Sequence, residues 1–229
     1  MVEETKSQEQ HEPEEYLAVV DRFVVEDAEE GLRTCYIFFD GPEEISPFPN
    51  EAQRFDEKPE VELMLVENLT PWINDQDVNH VVLTGGEPLK QGMCCSLIAN
   101  LSLQGGRLIE VETNGISQID AIAQLRQSMT IMSAFSATSS DDMAEVAITM
   151  DHWLPGTEPL APMTDTNFAL LEPQDTVRFI AATEADLAEA ERLCARHNLD
   201  DRCTVEIIKV EDGEEPCDCH EHDEECRCH

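Results

Sequence analysis

Apolar and polar positions alternate along this chain in two periods, one near 2 and one near 3.6. "YLAVVDRFVVE" (16–26) and "RTCYIFF" (33–39) are β-branched and aromatic, and read as a short first strand and a buried second one. "DGPEEISPFPNEAQRFDEKPE" (40–60) reads as loop, because its prolines and glycine break regular structure. In "VELMLVENLTPWIND" (61–75), Leu63, Val66, Leu69 and Ile73 recur at helical spacing. "VNHVVLTGG" (78–86) predicts a strand and turn, and "SLIANLSLQGG" (96–106) a short helix stopped by glycine. "RLIEVETNG" (107–115) predicts a strand, "IDAIAQLRQS" (119–128) a helix and "MTIMSAFSA" (129–137) a strand. Residues 140–172 are harder to read, and "WLPGTEPLAPMTDT" within them must contain an irregular loop. "TVRFIAA" (176–182) and "CTVEIIKV" (203–210) read as strands around the helix "TEADLAEAERLCARHN" (183–198), which has Thr183 as N-cap and Asp186 three residues on.

Strands that alternate with helices imply parallel pairing through right-handed crossovers. The expectation is an α/β fold with about six parallel strands, an open sheet or partial barrel. Ligands of such folds bind at the carboxyl ends of the strands. "TGGEP" and "ETNG" both fall at such ends, so one face of the domain should carry both.

Composition narrows the partners. The formal charge is −36 over 229 residues. Residues 1–30 carry 11 acids and 2 bases, and residues 211–229 carry 9 acids and 1 base, which leaves −19 between them. Such a surface repels nucleic acid and anionic lipid. No apolar run reaches the roughly 20 residues of a membrane helix. The acidic, polar N-terminus resembles neither a signal nor a transit peptide, so the expected location is the cytoplasm. An acidic chain with 4 Lys against 10 Arg would also suit a high-salt cytoplasm. Three parts are expected: a disordered acidic N-terminus (1–15), a domain (16–210) and a Cys/His-rich tail (211–229).

The segments "VVLTGGEPL", "RLIEVETNG", "MTIMSAF" and "TVRFIAATEADLAEA" together resemble a radical S-adenosyl-L-methionine (SAM) enzyme. The nearest subfamily is 7-carboxy-7-deazaguanine synthase, which makes a deazapurine precursor of queuosine. The resemblance spans most of residues 16–210. It implies a partial radical-SAM barrel of six strands and three helices, a 4Fe–4S cluster, SAM, a 6-carboxy-tetrahydropterin substrate assisted by Mg2+, and carbon–nitrogen lyase chemistry; it also admits a homodimer. Carried over residue by residue, it places Gly85, Gly86, Glu87, Pro88 and Ser133 at SAM, and Thr84, Glu112 and Asn114 at the pterin or deazapurine. The glycines agree physically, since a backbone without Cβ can approach a ligand closely.

The cluster loop departs from the pattern. Where the family reads Gly-Cys-x-x-x-Cys-x-x-Cys-Asp, this chain reads "GPEEISPFPNEA". Gly41 matches the glycine, but the three cysteine positions fall on Pro42, Ser46 and Pro49. Proline offers no ligand atom and serine only a hard, protonated oxygen, so this loop cannot hold a conventional cluster. The arginine expected before it falls on Phe38, and an expected Ser-Pro-Lys on Ser133, Ala134 and Phe135. The early glycine-rich segment falls near "VEDAEEG", and an expected Gln-Pro on Lys209 and Val210. Cys35, Cys94 and Cys95 read as buried thiols rather than substitutes.

The tail "EEPCDCHEHDEECRCH" repeats Cys-x-Cys-His. Cys217, Cys219, His220, His222, Cys226, Cys228 and His229 form a dense set of soft and borderline ligands, suited to Zn2+, Ni2+ or Cu+. Two functions follow: a 7-carboxy-7-deazaguanine synthase-like protein whose cluster ligands are absent, or a non-catalytic protein of the same fold that binds metal through its tail. A tail that folds back to replace the loop cysteines is a third arrangement.

Overall fold

The computed structural model describes residues 16–27, 32–41, 60–135, 143–159, 161 and 163–210. The expected N-terminal disorder, the cluster loop and the whole metal-binding tail lie outside the described residues.

One eight-stranded sheet organises the fold: β1 (Leu17–Asp27), β2 (Leu32–Phe39), β3 (Glu62–Met64), β4 (His80–Gly85), β5 (Leu108–Thr113), β6 (Glu145–Trp153), β7 (Thr176–Ala181) and β8 (Thr204–Lys209). Their spatial order is β3-β1-β2-β4-β5-β6-β7-β8. Neighbours from β2 through β8 pair in parallel, which gives the six parallel strands expected. β1 instead runs antiparallel to β2 and β3. Only four residues separate Asp27 from Leu32, too few for the crossover that parallel neighbours require. β3 and β8 are edges, so the sheet stays open.

The described residues also form four α-helices, α1 (Val66–Asp75), α2 (Cys94–Ser102), α3 (Asp120–Phe135) and α4 (Glu184–His197). Leu69 and Ile73 of α1, Leu97, Ile98 and Leu101 of α2, Ile122 of α3 and Ala190 and Leu193 of α4 join one core. That core takes Cys35, Ile37, Val81, Leu83, Ile109, Val111, Ile148, Met150, Val177 and Phe179 from the strands. Because side chains alternate across a strand, the helices cover one face of the sheet. The other face presents Tyr36, Phe38, Val82, Thr84, Glu110, Glu112, Thr149, Asp151, Arg178 and Glu206.

Two expectations are corrected. Met129–Phe135 is not a strand: α3 continues without a break to Phe135, and Ile131, Met132 and Phe135 are 51%, 53% and 89% exposed. No glycine, proline or turn pair interrupts the stretch from Asp120 to Phe135, so the helix propagates. The fourth parallel strand is β6, "EVAITMDHW", in a stretch for which no strand is expected; its continuous burial is the mark of a central parallel strand. Leu63 leaves the expected helical row, standing 65% exposed on β3, while Val66, Leu69 and Ile73 are buried on α1. The capping of α4 is as expected: Thr183 and Asp186 form a reciprocal capping box.

Candidate functional site

The motif "TGGEP" closes β4 by packing against its own chain. Gly85 has φ +100°, and a Cβ there would lie 2.6 Å from the backbone N and O of Phe39. A Cβ on Gly86 would overlap the backbone of Gly41, and Gly86 N donates to Phe39 O at 2.9 Å. The space freed by these glycines is therefore filled by the Phe39–Gly41 segment rather than held open for a ligand.

Glu87 is 1% exposed, and its carboxylate accepts from Leu89 N (3.0 Å), Thr113 Oγ1 (2.9 Å) and Asn114 N (3.0 Å). It ties the "TGGEP" turn to "ETNG" at the end of β5. Burial pushes its pKa up, against these donors and Lys90. The structure thus corrects the expectation for the Glu87 side chain: its acceptors are used within the fold. Pro88 is buried at the start of a single 3-10 turn, Pro88–Lys90. Gly115 is just as confined, since a Cβ would overlap Asp151 O.

Ser133 is displaced entirely. It sits in the last turn of α3, where its hydroxyl donates to Thr130 O. There it lines a recess of about 190 Å³ with Arg126, Glu145 and Gln174, at the amino ends of β6 and β7. Its expected place at SAM assumed a strand that is a helix.

The chemistry gathers on the helix-free face. Thr84 Oγ1 donates to Glu112 Oε2 at 2.6 Å. Arg178 Nε donates to Asp151 Oδ1 at 2.6 Å, and its Nη1 lies 3.6 Å from Glu112 Oε1. Burial pulls the Arg178 pKa down, but Asp151, Glu112 and Glu206 outweigh it and hold the guanidinium above its usual range. Nearer the amino ends, His80 bridges Thr34 Oγ1 (3.2 Å) and Glu110 Oε2 (3.1 Å), and Thr149 Oγ1 donates to Glu110 Oε1 at 2.5 Å. The His80 and Thr149 hydrogen bonds hold the Glu110 carboxyl below its ordinary pKa. Phe23, Tyr36 and Phe38 form one stacked layer, with centroids 5.2–6.3 Å apart. Phe38 pairs in register with Thr84, which sets the aromatic layer beside the polar row.

The structure places Thr84 near the end of β4, hydrogen-bonded to Glu112 near the end of β5, with Asn114 just beyond that strand. Arg178, Asp151 and the His80–Glu110–Thr149 row were missed. The available signal was a lone arginine in the apolar strand "TVRFIAA" and two glutamates, Glu110 and Glu112, two apart in "RLIEVET".

A scan against family models finds no match. A 7-carboxy-7-deazaguanine synthase of Clostridium acetobutylicum is 27% identical over 148 residues, 65% of this chain and 59% of that protein. A second, from Methanospirillum hungatei, is 25% identical over 122 residues, 53% of this chain and 43% of that protein. The chain is 7-carboxy-7-deazaguanine synthase-like. The aligned stretches span less than two thirds of these relatives' own length. The crystal structure of QueE from Escherichia coli superposes with a TM-score of 0.56 over 86% of this chain and 85% of that one, at 13% identity, and shows the shared fold.

The likeness implies a 4Fe–4S cluster, and the described residues do not fit one. No three His, Cys, Asp or Glu side chains among them come together as metal ligands. Cys35 and Cys94 are buried in the helix-side core, Cys35 with its pKa pushed up to about 11 and Cys94 higher still. Cys194 and Cys203 lie near the opposite edge, on α4 and just before β8. Buried thiols of raised pKa are poor cluster ligands, which must be thiolates.

Proposed function

We propose that this chain is a 7-carboxy-7-deazaguanine synthase-like protein that binds a SAM-, pterin- or deazapurine-type molecule on its helix-free face. The observation that carries this reading is the Thr84–Glu112–Arg178–Asp151 row, which crosses four adjacent parallel strands and reaches the carboxyl ends of β4 and β5. Open parallel sheets bind ligands at those ends, and a donor–acceptor row beside an aromatic layer suits a flat, polar heterocycle. Glu87 and the glycines hold the row's turns in place. The family's carbon–nitrogen lyase step, and with it a place in queuosine-precursor synthesis, needs a cluster that the described residues do not supply, so we read the chain as a binder.

Titration calorimetry of the full chain tests this. Saturable binding of SAM or 6-carboxy-tetrahydropterin is expected, weakened at least about tenfold by Thr84→Val, which removes the hydroxyl that holds Glu112 in the row. No binding, or the same affinity in a folded Thr84→Val protein, refutes the reading. Anaerobic reconstitution with iron and sulfide is expected to leave both the full chain and a chain ending at Val210 without a cluster. A SAM-responsive cluster in the full chain alone would assign its ligands to the tail.

A second reading rests on the seven thiols and imidazoles from Cys217 to His229. That density favours a bound transition metal, Zn2+ first. Metal analysis is expected to find about one equivalent in the full chain and none in the chain ending at Val210. Equal content in both would sink it.

A further inference from the structure

We propose that Arg178 is the specificity residue of the helix-free face: its Nη groups take a carboxylate of the ligand, and Asp151 takes up a proton from solvent as they do. This inference rests on the binding site proposed above and concerns the charge that the site accepts.

Among the described residues of β4 to β8, Arg178 is the sole arginine or lysine on this face; Lys209 lies on the other, with Val205. The Arg178 Nε donates to Asp151 Oδ1 at 2.6 Å, whereas Nη1 stands 3.6 Å from Glu112 Oε1, beyond a hydrogen bond. No described residue accepts from either Nη group. The side chain is partly exposed, so this fork of donors is left for a partner from outside the described fold. A planar carboxylate fits such a fork bidentately. Both ligand types expected here carry one, SAM on its amino-acid part and a carboxypterin on its ring.

The added charge must be relieved. With the ligand bound, three carboxylates would share one guanidinium on a partly buried face, where like charges repel strongly. The charged and titratable groups around Asp151 on this face are Arg178 on β7, Glu112 and Glu110 on β5, His80 on β4 and Glu206 on β8. Of the two carboxylates beside the guanidinium, Asp151 is the more buried, at 18% side-chain exposure against 30% for Glu112. Glu112 also keeps the Thr84 hydroxyl as a donor at 2.6 Å, while the Asp151 carboxylate accepts from no described residue but Arg178. Burial raises the Asp151 pKa above its ordinary value; Arg178 opposes this and Glu112 adds to it. A ligand carboxylate that shares the Arg178 charge weakens the one opposing influence, and Asp151 becomes neutral.

Titration calorimetry of the full chain, in buffers of different ionisation heat, counts the protons taken up on binding. One arm compares 6-carboxypterin with 6-methylpterin, and the other compares SAM with 5′-methylthioadenosine; the second member of each pair lacks the carboxylate. In at least one arm, the carboxylate-bearing ligand is expected to take up about one proton more than its comparator near pH 6.5. Its affinity should rise, relative to the comparator, by up to about tenfold for each pH unit lowered between 7.5 and 6. These two readings need only the unmodified chain. Asp151→Asn, of nearly the same shape, is expected to abolish the extra proton and the pH dependence. Arg178→Gln is expected to weaken that ligand at least about tenfold relative to its comparator. Binding without an extra proton in either arm overturns the proton linkage and leaves the site standing. An extra proton that persists in Asp151→Asn overturns the role of Asp151. Absence of binding by all four ligands removes the site together with its specificity residue.

Discussion

Replacing Glu87 by alanine should damage the fold from inside the site. The carboxylate accepts from two backbone amides, Leu89 N and Asn114 N, each at 3.0 Å, and from the Thr113 hydroxyl. The three donors lie just beyond β4 and at the end of β5. Alanine leaves both amides without their acceptor at a position 1% exposed. Each orphaned buried donor costs about 1–3 kcal/mol. The hydroxyl can rotate, so it adds little. Against this, the variant no longer buries a carboxylate, and burial does raise the Glu87 pKa. The net expectation is a loss of about 3 kcal/mol, a large share of the roughly 5–15 kcal/mol of a typical domain. Glu87→Gln keeps one acceptor but turns an amide toward the donors, and should lose about half as much. Urea unfolding at neutral pH measures both, and a double-mutant cycle with Thr113→Val should show a coupling of about 1 kcal/mol. A Glu87→Ala protein within about 0.5 kcal/mol of the parent, the usual range for a neutral surface change, would refute the tie.

Gly86→Ala should cost about 1–3 kcal/mol by forcing the Gly41 backbone away, while Gly106→Ala, with open space around it, should cost only the price of its positive φ; thermal melts compare them. Burial lowers the His152 pKa from 6.5 to about 4, so its neutral form contributes stability that is full above pH 6.5 and lost as the pH falls toward 4. That loss is about 3 kcal/mol, and His152→Phe, which keeps the contacts with Phe168 and Phe179, should flatten the fall in urea titrations across this window. Asp186 accepts from Gly156, Ala182 and Thr183 amides, which outweigh burial and lower its pKa. Its contribution is present above its unfolded pKa and lost as the pH falls through the folded one, so Asp186→Asn should cost about 1–2 kcal/mol at pH 7 and progressively less in acid.

The sequence showed the parallel core where its signals were local. "VNHVVLTGG" and "RLIEVETNG" end in turn residues, and Thr183 and Asp186 cap α4 as their spacing announces. It misled at residues 129–153 for a physical reason. Met129–Phe135 is β-like in composition, yet nothing stops the helix begun at Asp120, and such a run is ambiguous by periodicity alone. "EVAITMDHW" is buried on both sides, so it lacks the alternation that marks a half-buried strand. The Arg178–Asp151 pair joins residues 27 apart through sheet register, a relation that no local pattern encodes.

The two motifs that carry the resemblance serve the fold before they serve any ligand. Gly86 lies against Gly41, Gly115 against Asp151, and Glu87 joins both turns through Thr113 and Asn114. Packing alone would therefore require "TGGEP" and "ETNG" in a chain that had lost every catalytic step. The ligand must be read instead from side chains that packing leaves free to vary. Those stand on the other face of the same strands, where Phe38 replaces the expected arginine and Arg178 is held between Asp151 and Glu112. The scaffold and the polar row are therefore separable by substitution: changes at Gly86, Glu87 or Gly115 act on the turns beyond β4 and β5, and changes at Thr84 or Arg178 act on the row.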